Sequence, residues 1–534
     1  MFDREIRLVP AVPKSEIRLD VAFCYPGPYE IGMAGLGMQL VWWLFEQHEH
    51  VWVRRCFSDI DQHPATGQSD CYGFTLSWEL DFPTVLTMLE RYGIEPLSRD
   101  RGEDSPIVFG GGPVLSANPE PYASIFDVVL LGDAEATVPA FIEAAIETEG
   151  LERSERLKRF AAISGLYVPS CYKVEYQESG PVVSIEPIEG MGAPKYIARQ
   201  AFKPSSDYIA STCILSPDTT WGATYLMEVV RSCPQECRFC LASYLTRPFR
   251  FASVDTIIDA ALKAAAHTDK IGLLGPSITE HPEFEVIADR LAKVDNLRVN
   301  IASVRADTLT DSLAANIARL GQKSVTIALE SGSQRLRDIM KKNLTEAQIE
   351  NAIDAIAGGG LSGVKFYGIA GLPFEEQGDL DDTVALLSRL KKSHAGLKFV
   401  FGLSSFVPKA QTPFQRNGRD RGCKKKMEFL RKNLAPRGID VRTESHNWSD
   451  IQALLSRGDR RLTEILTGIG EGAQSLGSWK RALKSRPDGV PSLDYFVFEN
   501  YPEEQVLPWE HLVSPDKSGY LDSHLKNARA LATE

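Results

Sequence analysis

Apolar residues along this chain fall into short runs separated by stretches of helical period, and the alternation comes in two blocks. In the first, VAFCY (21–25), VWVRRCF (51–57), CYGFTL (71–76), PIVFGGG (106–112) and FDVVLLG (126–132) predict strands. Helical patterns near 33–46, 81–92 and 136–147 separate them. This alternation predicts a doubly wound parallel α/β domain over residues 1–150, with its ligand site beyond the carboxyl ends of the strands. Residues 151–222 read as a connector with a small hairpin. The second block gives YLMEVV (225–230), KIGLLG (270–275), LRVNIAS (297–303), SVTIALE (324–330), GVKFYGIAG (363–371) and LKFVFGLSSFV (397–407) as strands, with helical patterns at 254–267 and 345–357. Six βα units predict a partial (β/α)6 barrel over 223–420, with its chemistry at the carboxyl ends of the strands. Residues 421–534 read as a mainly helical accessory domain, and neither repeats nor low-complexity segments occur.

Composition narrows the function classes. At 534 residues the chain needs several domains, and 43% apolar with 24% charged residues describes a folded protein. No apolar stretch reaches the roughly 20 residues of a membrane helix, and the expected compartment is the cytosol. The net charge of −12 argues against extensive nucleic-acid binding. Nine cysteines are too few for a disulfide scaffold, and six of them stand alone.

The other three cluster in RSCPQECRFC (231–240), directly after the first strand of the second block. Cys233, Cys237 and Cys240 have no fourth cysteine or histidine nearby to close a zinc site. Soft thiolates in a short loop suit an iron–sulfur cluster, and three ligands on a cubane leave one iron open. CPQECRFC in this position resembles the signature of the radical S-adenosylmethionine (SAM) superfamily. The resemblance implies a 4Fe-4S cluster whose open iron chelates SAM, and one-electron cleavage of SAM to a 5′-deoxyadenosyl radical. It also implies an external electron donor such as a flavodoxin or ferredoxin. By the same resemblance, Phe239 is placed beside the adenine, and Gly275, Pro276 and Ser277 end the second barrel strand near the SAM amino group. Ser303 and Arg305 end the third strand, where the arginine would pair with the SAM carboxylate, and Glu330 ends the fourth, near the ribose or amino group. For Arg305 and Glu330 an ion pair tying barrel loops together is the competing reading.

YPGPYEIGMAGLGMQL (25–40), FGGGPVLSANPEPYA (109–123) and LLGDAEATVPAFIEA (130–144) resemble the cobalamin-binding domain that precedes many radical SAM barrels. The resemblance places a corrin pocket around Ala34, Gly110, Gly111, Gly112, Asp133 and Glu135, although the two acids could equally cap the next helix. No D-x-H-x-x-G motif supplies a cobalt-ligating histidine. Asp61–Gly67 carries His63 at a different spacing and reads as a turn. The expected activity is cobalamin-dependent methyl transfer to an unactivated carbon or phosphorus. The alternatives are a non-methylating radical reaction (cyclisation, rearrangement or sulfur insertion), or a redox-sensing or binding protein with a vestigial cobalamin fold. The tRNA methylthiotransferases also place an α/β domain before such a barrel, with three cysteines in it. Cys24, Cys56 and Cys71 invite that comparison, but their surroundings do not match, and they read as core residues.

Overall fold

The computed structural model of the chain describes all residues except 63–67, 206, 470–474, 514–518 and 534, so His63 and most of the expected Asp61–Gly67 turn lie outside the described residues. The front sheet contains β1 (Leu19–Cys24), β2 (Val51–Cys56), β3 (Cys71–Thr75), β4 (Ile107–Gly111), β5 (Val128–Leu130) and β6 (Leu166–Tyr167), in the order β2-β1-β3-β4-β5-β6. The first five strands are parallel and β6 is antiparallel. Near-continuous apolar strands of this kind are buried on both faces by helices. On one face, Phe45 of α1 (Leu36–Glu46) and Phe141 of α3 (Ala134–Glu147) close on Phe109 of β4, with ring centroids 5.8 and 4.5 Å away. Gly73 of β3 makes room for that ring, because a Cβ there would lie 2.1 Å from it. Helix α2 is Phe82–Arg91. The strand order reverses between β1 and β3, and such a switch point opens a crevice at the carboxyl edge.

The connector contains the expected hairpin, β7 (Tyr172–Tyr176) with β8 (Val182–Pro187). The barrel strands follow as β9 (Tyr225–Glu228), β10 (Lys270–Leu274), β11 (Arg298–Ile301), β12 (Ser324–Glu330), β13 (Gly363–Ala370) and β14 (Lys398–Ser405). All are parallel; β9–β11 and β12 onward form two sheets joined by a Val304–Ile327 bridge. Their outer helices are α4 (Val254–Ala265), α5 (Phe284–Leu291), α6 (Asp311–Arg319), α7 (Glu346–Gly358), α8 (Gln377–Ser393) and α9 (Cys423–Leu434). The starts of α4 and α6 are fixed by Ser253 and Thr310, whose side chains accept from backbone N–H groups three residues on. Thr345 and Gln348 form a capping box on α7.

Beyond the sixth barrel strand, the chain adds a seventh, β15 (Ile439–Thr443), parallel to β14. It is an edge strand in which only Ile439 is buried, so it lacks the apolar run that marks the others. The C-terminal stretch divides three ways. Residues 423–443 complete the barrel. Leu454 and Leu455 of α10 (His446–Arg457), with Trp479, Phe496 and Trp509, join the buried core of the front sheet. Helix α11 (Tyr520–Thr533) returns to the loop after β9.

A buried ion pair pins the middle of these pieces to the front sheet. Arg460 Nε donates to Glu120 Oε2 at 2.9 Å, and the Tyr167 hydroxyl donates to Glu120 Oε1 at 2.5 Å. Burial pushes the Glu120 carboxyl up, but Arg460 with its other donors holds it below its ordinary value. The stability this group contributes is therefore complete above pH about 4.5 and is lost as pH falls through the lowered folded-state value. Arg460→Met, which leaves Glu120 buried without its cation, is expected to destabilise the fold by about 3–5 kcal/mol in urea unfolding. Adding Glu120→Leu should restore most of that loss; no recovery would show that the pair does not act as a unit.

Candidate active site

Strand β9 delivers the chain to the carboxyl face of the barrel, where Val230–Arg231 pairs with Arg250–Phe251 and the cysteine loop begins. Ser232 and Glu236 have φ of +69° and +54°, a left-handed backbone that non-glycine residues adopt at a cost of about 1–2 kcal/mol each. The loop is fastened to residues 338–340. Arg238 N–H donates to the Met340 carbonyl at 2.9 Å, and its guanidinium donates to the carbonyls of Ile339 (2.5 Å) and Asp338 (3.2 Å). Cys237 is buried, while Cys233 and Cys240 are half-buried. Burial pushes the Cys237 thiol up to about 12 and raises Cys233 as well. Metal binding to such thiols releases their protons. Among the described residues no three His, Cys, Asp or Glu side chains are gathered round a single point. Three soft donors spread along one loop fit a polynuclear iron–sulfur cluster.

Around this loop lie the other candidates from the barrel. Gly275 has φ +155°, and a Cβ there would meet the Val230 carbonyl at 2.7 Å, so this glycine lets β10 end against the start of the cysteine loop. Ser277 is buried, Ser303 half-buried and Pro276 exposed. Phe239 packs in an apolar cluster with Leu336, Met340 and, from α11, Leu525 and Ala528. The Arg305 guanidinium is already shared between Glu280 (3.0 Å) and Asp307 (2.7 Å). Glu330, at φ +64°, accepts from buried Lys342 Nζ at 3.0 Å. Both thus take part in ion pairs tying barrel loops together. The sequence reading missed Lys341, Lys342 and Asn343. Asn343 offers its carbonyl to Arg305 (3.3 Å) and its amide to Gln235 (3.4 Å). Their only sequence mark is a basic pair, which carries no chemistry by itself.

At the switch point of the front sheet lies a cavity of about 340 Å³. Its floor is Phe23, Phe74 and Phe109; Glu228 and Arg231 from the barrel line it as well. Gly111, Gly112, Asp133 and Glu135 line it, but Ala34 and Gly110 do not, because Gly110 faces the side chains of Leu115 and Phe126 inside the core. Gly112 is required for a different reason from ligand approach: at φ +103°, a Cβ would meet the Leu76 carbonyl at 2.7 Å. Gly37 and Gly111 are the glycines whose missing side chains leave lining space open.

The two acids are bound by the barrel. Asp133 accepts from Arg250 at 2.5 Å, and Glu135 accepts from Arg231 at 2.7 and 3.1 Å and from the Tyr208 hydroxyl at 2.8 Å. Arg231 also donates to Glu228 at 2.6 Å. Burial pushes Glu228 up against this pairing, whereas the net effect on Glu135 is downward, burial notwithstanding, because Arg231 holds it charged. Cys24, Cys56 and Cys71 lie fully buried inside the front sheet, and burial pushes the Cys71 thiol up to about 12. His511 is packed between the rings of Tyr167 and Tyr172 and pushed down to about 4 by burial, a core histidine. Trp448 lines a second cavity with Trp78, Leu80 and Pro83, and His446 faces Ser405 and Arg419 at 3.3 Å.

Two family profiles match the chain: "Radical SAM proteins, N-terminal" over residues 37–169 and "Radical SAM superfamily" over 227–387, a span that holds all three loop cysteines. The chain belongs to the radical SAM superfamily. An uncharacterized protein of Methanocaldococcus jannaschii is 27% identical over 453 residues, covering 84% of this chain and 90% of that one. An uncharacterized methyltransferase of Pyrococcus horikoshii is 22% identical over 346 residues, 64% of this chain and 68% of that one. Among solved structures, the fold resembles that of the radical SAM methyltransferase TsrM from Kitasatospora setae, a structure with cobalamin and a [4Fe-4S] cluster bound. The TM-score is 0.51 at 12% identity, over 88% of this chain and 100% of that one.

In this radical SAM protein, Cys237→Ala is expected to lower iron and sulfide to background after anaerobic reconstitution and to abolish SAM cleavage. Wild-type iron content in that variant would remove Cys237 from the ligand set.

Proposed function

We propose that this radical SAM enzyme transfers a methyl group to an unactivated carbon or phosphorus, with cobalamin held in the front-sheet cavity. The observation that carries the reading is the position of Arg231, which lines that cavity and stands two residues before Cys233. A ligand on the front sheet and one on the cysteine loop would therefore face a common space, the arrangement that makes group transfer between them effective. The TsrM fold, solved with both cofactors, and the methyltransferase name of the Pyrococcus relative support it.

When bound, the cluster supplies the electron that cleaves SAM, and cobalamin supplies the methyl carrier. Cys233, Cys237 and Cys240 would ligate the cluster. Phe239, Gly275, Pro276, Ser277 and Ser303 would border SAM, and the Lys342–Glu330 and Arg305–Asp307 pairs would present charge to its polar end. Phe23, Phe74 and Phe109 would border the corrin, and among the described residues no histidine lines the cavity. The reductant would be a small flavoprotein or ferredoxin, and no described helix is long and apolar enough to cross a membrane.

A second reading has its own observation. Arg231 and Arg250 already engage Glu135 and Asp133, and 340 Å³ is small for a whole corrinoid. Radical chemistry without methylation would leave the front sheet as a substrate platform. Gly37→Leu separates the readings, because a Cβ at this lining position would meet nothing within 4 Å, so the larger side chain has room to enter the cavity from α1. Reconstituted with hydroxocobalamin, the wild-type protein is expected to hold stoichiometric cobalt beside its cluster. The variant should lose the cobalt while keeping the iron and its thermal stability. Absence of cobalt from the wild-type protein would reject methyl transfer and favour the second reading. Absence of 5′-deoxyadenosine as well would favour a redox-sensing protein.

A further inference from the structure

Glu236 stands inside the ligand motif, between Cys233 and Cys237, yet its side chain makes more contacts than any spacer requires. Its carboxylate accepts from Lys341 Nζ at 2.6 Å, from the Tyr520 hydroxyl at 2.5 Å, and from the guanidinium of Arg247. Its backbone carbonyl accepts from the Tyr244 hydroxyl at 2.7 Å. Two chain segments distant in sequence, at Lys341 and Tyr520, thus meet the nearby Tyr244 and Arg247 on one residue whose φ of +54° is unfavourable for a side chain. A strained conformation of this sort persists only where its surroundings over-determine it.

The C-terminal helix α11 supplies one side of the grip. Tyr520 begins it, and the Arg247 guanidinium lies 4.8 Å from the Tyr520 ring centroid. One turn on, His524 packs against Tyr520 and Tyr244. Further along, Leu525 and Ala528 join Phe239 in the same apolar cluster. The helix therefore holds the cysteine loop at two points, by a polar contact before Cys237 and an apolar one after it. Its outer side makes exposed ion pairs from Lys526 and Arg529 to Glu503 that do not touch the loop.

We propose that Glu236 is a positioning residue and α11 a clasp: together they hold the three-cysteine loop in its metal-ready shape. Residues that orient ligands without touching the metal typically change metal affinity about 10–100-fold when replaced. The inference rests on the cluster assignment and is independent of methyl transfer.

The test measures how fast a chelator strips iron from the reconstituted full-length protein, followed by the cluster's absorbance. The wild-type iron and sulfide content is read first, because a wild-type protein without a cluster would defeat the cluster assignment and the clasp with it. Glu236→Gly is the informative variant, since glycine accepts the left-handed backbone freely but removes the carboxylate. It should release iron about 10-fold faster. Tyr520→Phe should act in the same direction, and the double variant should fall short of additivity, since both changes break one contact. Glu503→Gln, on the outer side of α11, should release iron at the wild-type rate. Melting of the cluster-free variants checks that they fold, and Tyr520→Phe carries the test alone if Glu236→Gly does not. Iron release at the wild-type rate in Tyr520→Phe and any folded Glu236→Gly would overturn the proposal, as would equal acceleration in Glu503→Gln.

Discussion

The junction on which the rest of the molecule depends is the half-buried guanidinium of Arg231. It leaves the first barrel strand, pairs with Glu228 beside it, and crosses to Glu135 of the front sheet, while Arg250 from the neighbouring strand reaches Asp133. Three carboxylates share two guanidinium groups, and removing so many charges from water is tolerable only because each is paired at close range. Burial drives the Glu228 carboxyl upward, with Glu135 and Asp133 adding to the effect and Arg231 opposing it. Two residues later the cysteine loop begins. The same contact therefore sets the relation between the front cavity and the loop.

Around the loop, unfavourable backbone is concentrated: Ser232, Glu236, Glu330, Lys341 and Asn343 all have positive φ. Each is tied by a hydrogen bond or ion pair to a neighbour on another segment, Ser232 to the Ala242 carbonyl, Glu236 to Lys341, Glu330 to Lys342 and Asn343 to Arg305. The result is a preformed frame. A loop already held in one shape spends little conformational entropy when a ligand binds, which would favour retention of a cluster by the three cysteines proposed to hold it.

The pocket residues read from glycine-rich sequence show where such reading fails. Gly110, Gly112 and Gly275 are glycines because a neighbouring side chain or carbonyl occupies the place of a Cβ, and although Gly111 and Gly112 both line the cavity, of the expected triplet only Gly111 leaves side-chain space open. A glycine reports that space is short on one side of the backbone, but not whether ligand or protein fills it. Arg305 teaches the same about charge, since a guanidinium at a strand end serves Glu280 and Asp307 as readily as a ligand. Lys342 was invisible for the converse reason: a lysine in a polar stretch has no periodicity to mark it as buried.

By itself, the sequence determined the two alternating blocks, the parallel sheets and the cysteine loop at a strand end. These are written in local apolar period and residue spacing, which survive without knowledge of distant contacts. What only the tertiary structure decided was the partition of the C-terminal stretch among barrel, front core and clasp, and the edge strand β15. The same holds for the ion pairs that carry Asp133, Glu135 and Glu236. Those depend on which surfaces meet across hundreds of residues, where burial makes a charge either paired or intolerable, and no local pattern encodes the meeting.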